Sequence, residues 1–181
     1  TYGVSRLVSD AQATLSGSGR VVGATVVPAS YNLATSEEGF QTSVNMTMRG
    51  RSVVSLQAVP SLPLASDRVP ITSAAKQDVV DPVGAFVIAL DRPNMTPSAI
   101  CGRTVHVFDG WKRFDIRMSL KETRKVDDGD AAYSGDLIVC AARYQPVAGH
   151  RTSDDSVAFM ADNKRLEIAL AHVKGTNYMV P

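Results

Sequence analysis

The sequence predicts a mainly β protein: a single antiparallel, strongly curved sheet, either a spiral or an incomplete barrel, wrapped around one short buried helix. Three observations lead to this prediction. Most of the 181 residues fall into short runs of strand-forming residues punctuated by Gly, Ser and Asp. One Asp-Gly pair, Asp109-Gly110, is flanked by alternating apolar residues, the pattern of a β-hairpin. One apolar run, residues 83–90, has the length of a short buried helix.

The amino-terminal third predicts a series of short strands. These are residues 4–7, 19–26, 30–35, 40–49 and 52–58. Within the fourth strand, apolar residues alternate with polar ones from Val44 to Met48, as in a strand with one buried face. Ser16-Gly17-Ser18-Gly19 predicts a turn. Prolines between residues 59 and 80 predict a long irregular crossing, because Pro interrupts helices and central strands.

The hairpin around Asp109-Gly110 is the best-defined local element. Residues 103–108 and 111–120 are predicted to pair across a two-residue loop, so that Phe108 faces Trp111. Alternation then gives the two strands one apolar and one polar face. The apolar face holds Val105, Val107, Phe114, Ile116, Met118 and Leu120, and the polar face holds His106, Arg113, Asp115 and Arg117.

Outside the hairpin, the sequence predicts two capped helices and two more strands. Asp81 can cap the backbone amides of the buried helix, and Pro82 suits its first turn. An aspartate at 154 or 155 caps a second short helix that runs to Met160. The additional strands are residues 137–144 and a final strand from residue 166 to residue 170.

Cys101 and Cys140 each lie on a segment predicted as a strand, and a disulfide between neighbouring strands is the leading interpretation. Two buried free thiols, or metal or redox chemistry, are the alternatives. Neither Cys lies in a CxxC motif and no ligand set surrounds either one, so we expect no metal and no cofactor. A disulfide would indicate an oxidising compartment outside the cytosol.

Charge and hydropathy argue against a nucleic-acid-binding protein and against a membrane-spanning protein. The net charge is +1, and Lys and Arg are interspersed with Asp and Glu, so we expect no nucleic-acid partner. No apolar run approaches the roughly 20 residues that span a bilayer, so we expect no transmembrane segment. The chain begins at Thr1 rather than Met, which leads us to expect that a signal peptide has been removed.

A possible binding face is predicted on the hairpin and on the loop before the second helix. Its residues are Phe108, Trp111, Arg113, Arg117, His150 and Arg151. Aromatic and Arg side chains are enriched at interface anchors, and binding residues concentrate on loops. The alternative is a surface hairpin whose aromatic residues cover their neighbours. No GxSxG motif or other catalytic set is present, so we predict no catalytic residues.

Several motifs are shared with one known family. They are Cys101-Gly102-Arg103, Val107-Phe108-Asp109-Gly110, Tyr133-Ser134-Gly135 and Tyr144-Gln145-Pro146-Val147-Ala148-Gly149-His150-Arg151, with Val80-Asp81-Pro82 ahead of the apolar run. Over about half of the chain, mostly residues 80–170, the sequence resembles a family of exported Gram-negative bacterial proteins described only as a domain of unknown function. The resemblance implies a periplasmic, mostly β protein with paired cysteines, and implies no reaction. Family members carry further strands at both ends, so it also implies truncation at one or both ends.

The leading hypothesis is a single β-rich domain, residues 1–181, that acts as a non-enzymatic periplasmic protein. It would support cell-envelope integrity and bind a lipid-like ligand or an envelope protein on the concave face of its sheet. A second hypothesis is an envelope hydrolase that uses His150 with Asp154 or Asp155 and a serine hydroxyl. A third is a purely structural interaction module with an apolar surface patch at Trp111.

Overall fold

The computed structural model describes residues 12–37, 39–92, 95–127 and 133–181. It is mainly β and contains a strongly curled antiparallel sheet, as the sequence predicts. The prediction of one sheet is wrong, because the strands in the described ranges form two sheets, one of four strands and one of six. The strand predicted at residues 4–7 lies outside the described residues.

The first sheet is a four-stranded meander. Its strands follow chain order: β1 (Gln12–Val22), β2 (Thr25–Glu37), β3 (Phe40–Arg49) and β4 (Ser52–Val59). The alternation predicted in β3 is confirmed, since Val44, Met46 and Met48 are buried. Together with Tyr31 they form a core that also contains Phe108. This core joins the first sheet to the second.

The turn predicted at residues 16–19 is wrong, because those residues lie within β1. The chain reverses at Gly23-Ala24, where Gly23 has a φ of 57°. Gly17 has a packing role instead: a Cβ there would lie 2.8 Å from the Cβ of Val83. Glycine therefore lets β1 approach the segment that follows Asp81.

The second sheet curls into a half-barrel. Its spatial order is β5-β10-β9-β8-β7-β6. The strands are β5 (Ile88–Ala89), β6 (Thr104–Phe108), β7 (Arg113–Val126), β8 (Gly135–Ala148), β9 (Glu167–His172) and β10 (Tyr178–Val180). Helix α2 (Asp155–Asp162) contacts β8 and has Asp154 as its N-cap, within the region where the sequence predicts a capped helix.

The helix predicted at residues 83–90 is wrong. Asp81 does cap backbone amides, since its Oδ1 accepts hydrogen bonds from Val83 N and Gly84 N at 2.9 Å each. However, only a 3-10 turn (Gly84–Phe86) follows, and the chain then enters β5. Val80 pairs with β6 at one edge of the half-barrel, whereas β5 pairs with β10 at the other edge. The chain between these two pairings therefore forms a single 3-10 turn rather than a helix.

The short helix that packs inside the half-barrel is α1 (Pro97–Cys101), which contacts β7 and β8. Thr96 caps it by accepting a hydrogen bond from Ala99 N. Its last residue, Cys101, forms a disulfide with Cys140 of β8, with the Cα atoms 5.5 Å apart. The disulfide is therefore present, but the prediction that it joins neighbouring strands is wrong. It ties a helix to a central strand, in a core where both cysteines are fully buried.

The hairpin of β6 and β7 has a four-residue loop rather than the predicted two-residue loop. Phe108 pairs with Arg113 instead of Trp111. The cause is the side chain of Asp109, whose Oδ1 accepts hydrogen bonds from Trp111 N at 2.8 Å and Lys112 N at 2.6 Å. The register thus shifts by two residues, and an even shift leaves each side chain on its predicted face.

Candidate functional site: an apolar groove in the half-barrel

The concave face of the six-stranded sheet forms an open groove of about 650 Å³. Strands β6 and β7 contribute Val105, Val107, Phe114, Ile116 and Met118, and strands β8 and β9 contribute Ala142, Ile168 and Leu170. The lining also includes Phe86 of the segment that links the sheet edges, Ile88 of β5 and Met160 of α2. The groove is therefore built from five strands, helix α2 and the segment around Phe86.

Period-two alternation in the sequence produces this lining. Five of the six residues assigned to the apolar face of the hairpin line the groove. The exception is Leu120, which is 38% exposed and precedes an irregularity in the pairing of β7 with β8. The sequence predicts a buried helix at residues 83–90. A 3-10 turn at Gly84–Phe86 stands there instead, and Phe86 lies at the groove.

Charge is nearly absent from the groove. Of the described residues that line it, Glu167 alone is charged. Its Oε1 accepts a hydrogen bond from Lys121 Nζ, so the carboxylate is neutralised by an ion pair. In the described ranges, no group of three or more His, Cys, Asp or Glu side chains is arranged to hold a metal ion. The arrangement favours contact with an apolar ligand over acid–base chemistry.

Three residues of the predicted binding face do not form an exposed surface. Phe108 is 0% exposed and Arg113 is 8% exposed, because the first sheet and the crossing cover this part of the hairpin. Arg113 Nε donates to Asp115 Oδ1 at 2.8 Å, and Nη1 donates to Gln77 O at 3.2 Å. Trp111 is half-buried, and its Nε1 donates to the backbone of the crossing at 2.8 Å. These side chains hold the two sheets together.

His150 and Arg151 lie on the loop after β8, beside the crossing. Arg151 Nε donates to Asp67 Oδ1 at 3.0 Å. The hydroxyl of Ser153 also donates to Asp67, and this bond, with the Arg151 guanidinium, lowers the pKa of Asp67 to about 2. These contacts fasten the loop to the crossing. Arg117, by contrast, is exposed on β7 and lies apart from them.

The geometry does not assemble the residues of the hydrolase hypothesis. His150 is 8% exposed, and its Nδ1 has no hydrogen-bond partner in the part of the chain that is described. Asp154 Oδ1 accepts from Ser156 N at 3.0 Å as the cap of α2, and the Ser156 hydroxyl also donates to it. The Ser153 hydroxyl is directed to Asp67 instead. No serine–histidine pair is formed among these groups.

No family model, curated protein or solved structure matches this chain. The resemblance to a family of exported proteins therefore stays a prediction. Neither of the two described α-helices is long and apolar enough to cross a membrane. The inference of function accordingly depends on the groove, its size and the charges around it.

Proposed function

We propose that this is a non-enzymatic periplasmic protein that binds one lipid-like acyl chain in the groove and thereby supports the cell envelope. The observation that carries the proposal is the open apolar groove of about 650 Å³ on the concave face of the half-barrel. Ligand sites are typically concave and mostly apolar, with volumes of about 300–1,000 Å³. An acyl chain needs only apolar contact, which matches a lining with one charged residue that is already paired.

The size of the groove favours a single chain over two. A methylene group is about as large as a water molecule, whose share of liquid volume is about 30 Å³. The groove therefore has room for about twenty methylene-sized groups. That volume matches one long acyl chain more closely than the two chains of an ordinary phospholipid.

The disulfide supports the proposed location. Disulfides persist in oxidising compartments such as the bacterial periplasm and are rare in the cytosol. Cys101 and Cys140 are the two cysteines of the chain, and they are joined. Isolation of the native protein with both thiols reduced would contradict the periplasmic part of the proposal without affecting the acyl-chain part.

The acyl-chain proposal can be tested with two variants on opposite faces of β7. Ile116 lines the groove, whereas Ser119 is exposed and points away from it. Ile116→Gln places an amide in the groove, and Ser119→Gln places the same group in solvent. Burial of an unpaired amide costs about 1–3 kcal/mol, so Ile116→Gln should weaken acyl binding about tenfold or more. Ser119→Gln should bind like the wild type.

The assay is titration with the fluorescent fatty acid cis-parinaric acid, combined with native mass spectrometry of gently extracted protein. We expect saturable binding of one chain per molecule, weakened in Ile116→Gln alone. Absence of saturable binding would contradict the proposal. An equal loss in both variants, or in neither, would place any binding outside the groove.

A further inference from the structure

Three arginines lie side by side on the outer face of the half-barrel. Arg117 of β7 pairs directly with Arg143 of β8. The register of β8 with β9, extended by the hydrogen bond from Ala142 N to Leu166 O at 2.8 Å, puts Arg165, two residues before β9, opposite Arg143. Neighbouring strands lie about 4.8 Å apart, so the arginine row (Arg117, Arg143 and Arg165) spans about 10 Å.

The arginine row faces away from the groove. Each arginine is exposed and is next in sequence to a residue that lines the groove: Ile116, Ala142 and Leu166, respectively. Successive side chains of a strand point to opposite faces of a sheet. The row therefore lies on the reverse side of the strands that form the proposed acyl-chain site.

The charge of the row is uncompensated within the described residues. None of the three guanidinium groups forms an ion pair there, and the one hydrogen bond from their side chains runs from Arg143 Nη1 to Asn163 O at 3.2 Å. The nearest acidic side chains along the same strands, Asp115 and Glu167, are paired with Arg113 and Lys121. Like charges directly opposite each other destabilise a sheet. A local cost of this kind is expected where a residue serves a function.

We propose that the arginine row docks the protein onto an anionic phospholipid membrane. Guanidinium groups bind phosphate through paired hydrogen bonds, and three in a line on an exposed sheet face match a surface of repeated phosphates. The choice of a membrane over an acidic protein rests on the proposed function, since a protein that takes up an acyl chain has to reach a bilayer. The row supplies electrostatic attraction that concentrates the protein at the membrane surface, whereas the groove on the opposite side of the sheet supplies the acyl contacts.

The test is vesicle flotation of the whole protein with vesicles of phosphatidylcholine alone or with added phosphatidylglycerol. The variant is Arg117→Gln/Arg143→Gln/Arg165→Gln, which keeps hydrogen-bond donors and removes three charges. The matched control is Arg20→Gln/Arg49→Gln/Arg92→Gln, which removes three exposed arginines elsewhere. Each arginine near an anionic surface contributes about fivefold to partitioning, so the row variant should lose about a hundredfold. Thermal unfolding midpoints confirm that both variants are folded.

We expect strong binding to phosphatidylglycerol vesicles, weak binding to phosphatidylcholine vesicles, a loss in the row variant, and at most a small loss in the control. Equal losses of vesicle binding in the two variants would overturn the proposal. Wild-type binding that is the same with and without phosphatidylglycerol would also overturn it. A third outcome would assign the row to an acidic protein instead. In that case, poly-glutamate binds the wild type but not the row variant, and vesicles do not displace it. Binding of cis-parinaric acid should be unchanged in the row variant, so failure of the groove and failure of the row are distinguishable.

Discussion

Removal of the disulfide should lower the free energy of unfolding by about 4 kcal/mol. The bridge joins residues that are 39 positions apart, and closure of a loop of that length restricts the unfolded chain. The chain-entropy relation gives about 4 kcal/mol at 25 °C for this loop. The double variant Cys101→Ala/Cys140→Ala removes the link without adding a polar group to a core in which both residues are 0% exposed.

The assay is equilibrium urea denaturation followed by circular dichroism. Besides the lower stability, we expect a steeper dependence on urea in the variant, because its unfolded state exposes more surface. Met118→Leu is the matched control, since Met118 lies in the same core and a volume-conserving change there should cost less than about 1.5 kcal/mol. A loss below about 1 kcal/mol in the double variant would refute the reasoning that the loop constraint stabilises this fold.

Three further predictions concern single carboxylates. Burial raises the pKa of Asp81 above 3.8, so the folded state loses stability relative to the unfolded state as the pH rises past that value. The thermal unfolding midpoint of Asp81→Asn should therefore gain on that of the wild type as the pH rises. A difference between the two midpoints that does not change with pH would contradict this. The pKa of Asp67 is lowered to about 2, so its contribution to folding stability is present above pH 3.8 and is lost as the pH falls towards 2. Asp67→Asn should therefore unfold at a lower temperature than the wild type at neutral pH, and the two midpoints should converge in acid. A difference between the midpoints that is the same at every pH would argue against it. Asp109→Ala removes the acceptor for two loop amides and should lower the free energy of unfolding, measured by urea denaturation, by about 1–2 kcal/mol. Asp109→Asn keeps that acceptor and should lose less. Equal losses in the two variants would show that these hydrogen bonds do not hold the loop.

The parts of the fold that were predictable from the sequence are those with a clear local period. Alternation in β3 and in the hairpin assigned residues to the correct sides of their strands, because a period of two residues separates those sides whatever the partners are. Residues 83–90 were misassigned for the opposite reason. Their apolar run has no period that distinguishes a buried helix from a turn followed by a short strand, and pairing at Val80 and at β5 decides the outcome.

The candidate site was predictable in part. The apolar side chains of β6 and β7 were identified, and so was a concave sheet face as the place for a ligand. Whether that face is filled or open depends on the segment around Phe86, whose path is set by distant strands. The arginine row was not predictable, because Arg117, Arg143 and Arg165 become neighbours only through the register of β7, β8 and β9.

The most direct test of acyl-chain binding in the groove is the dissociation constant of saturated fatty acids as a function of chain length, measured by displacement of cis-parinaric acid. Each buried methylene contributes about 0.8 kcal/mol, so affinity should rise about fourfold per methylene. The increase should stop once a chain of fewer than about twenty carbons fills the groove, with one chain bound per protein molecule. An affinity that does not change with chain length, or that is equal in Ile116→Gln and the wild type at every length, would contradict acyl-chain binding at this site.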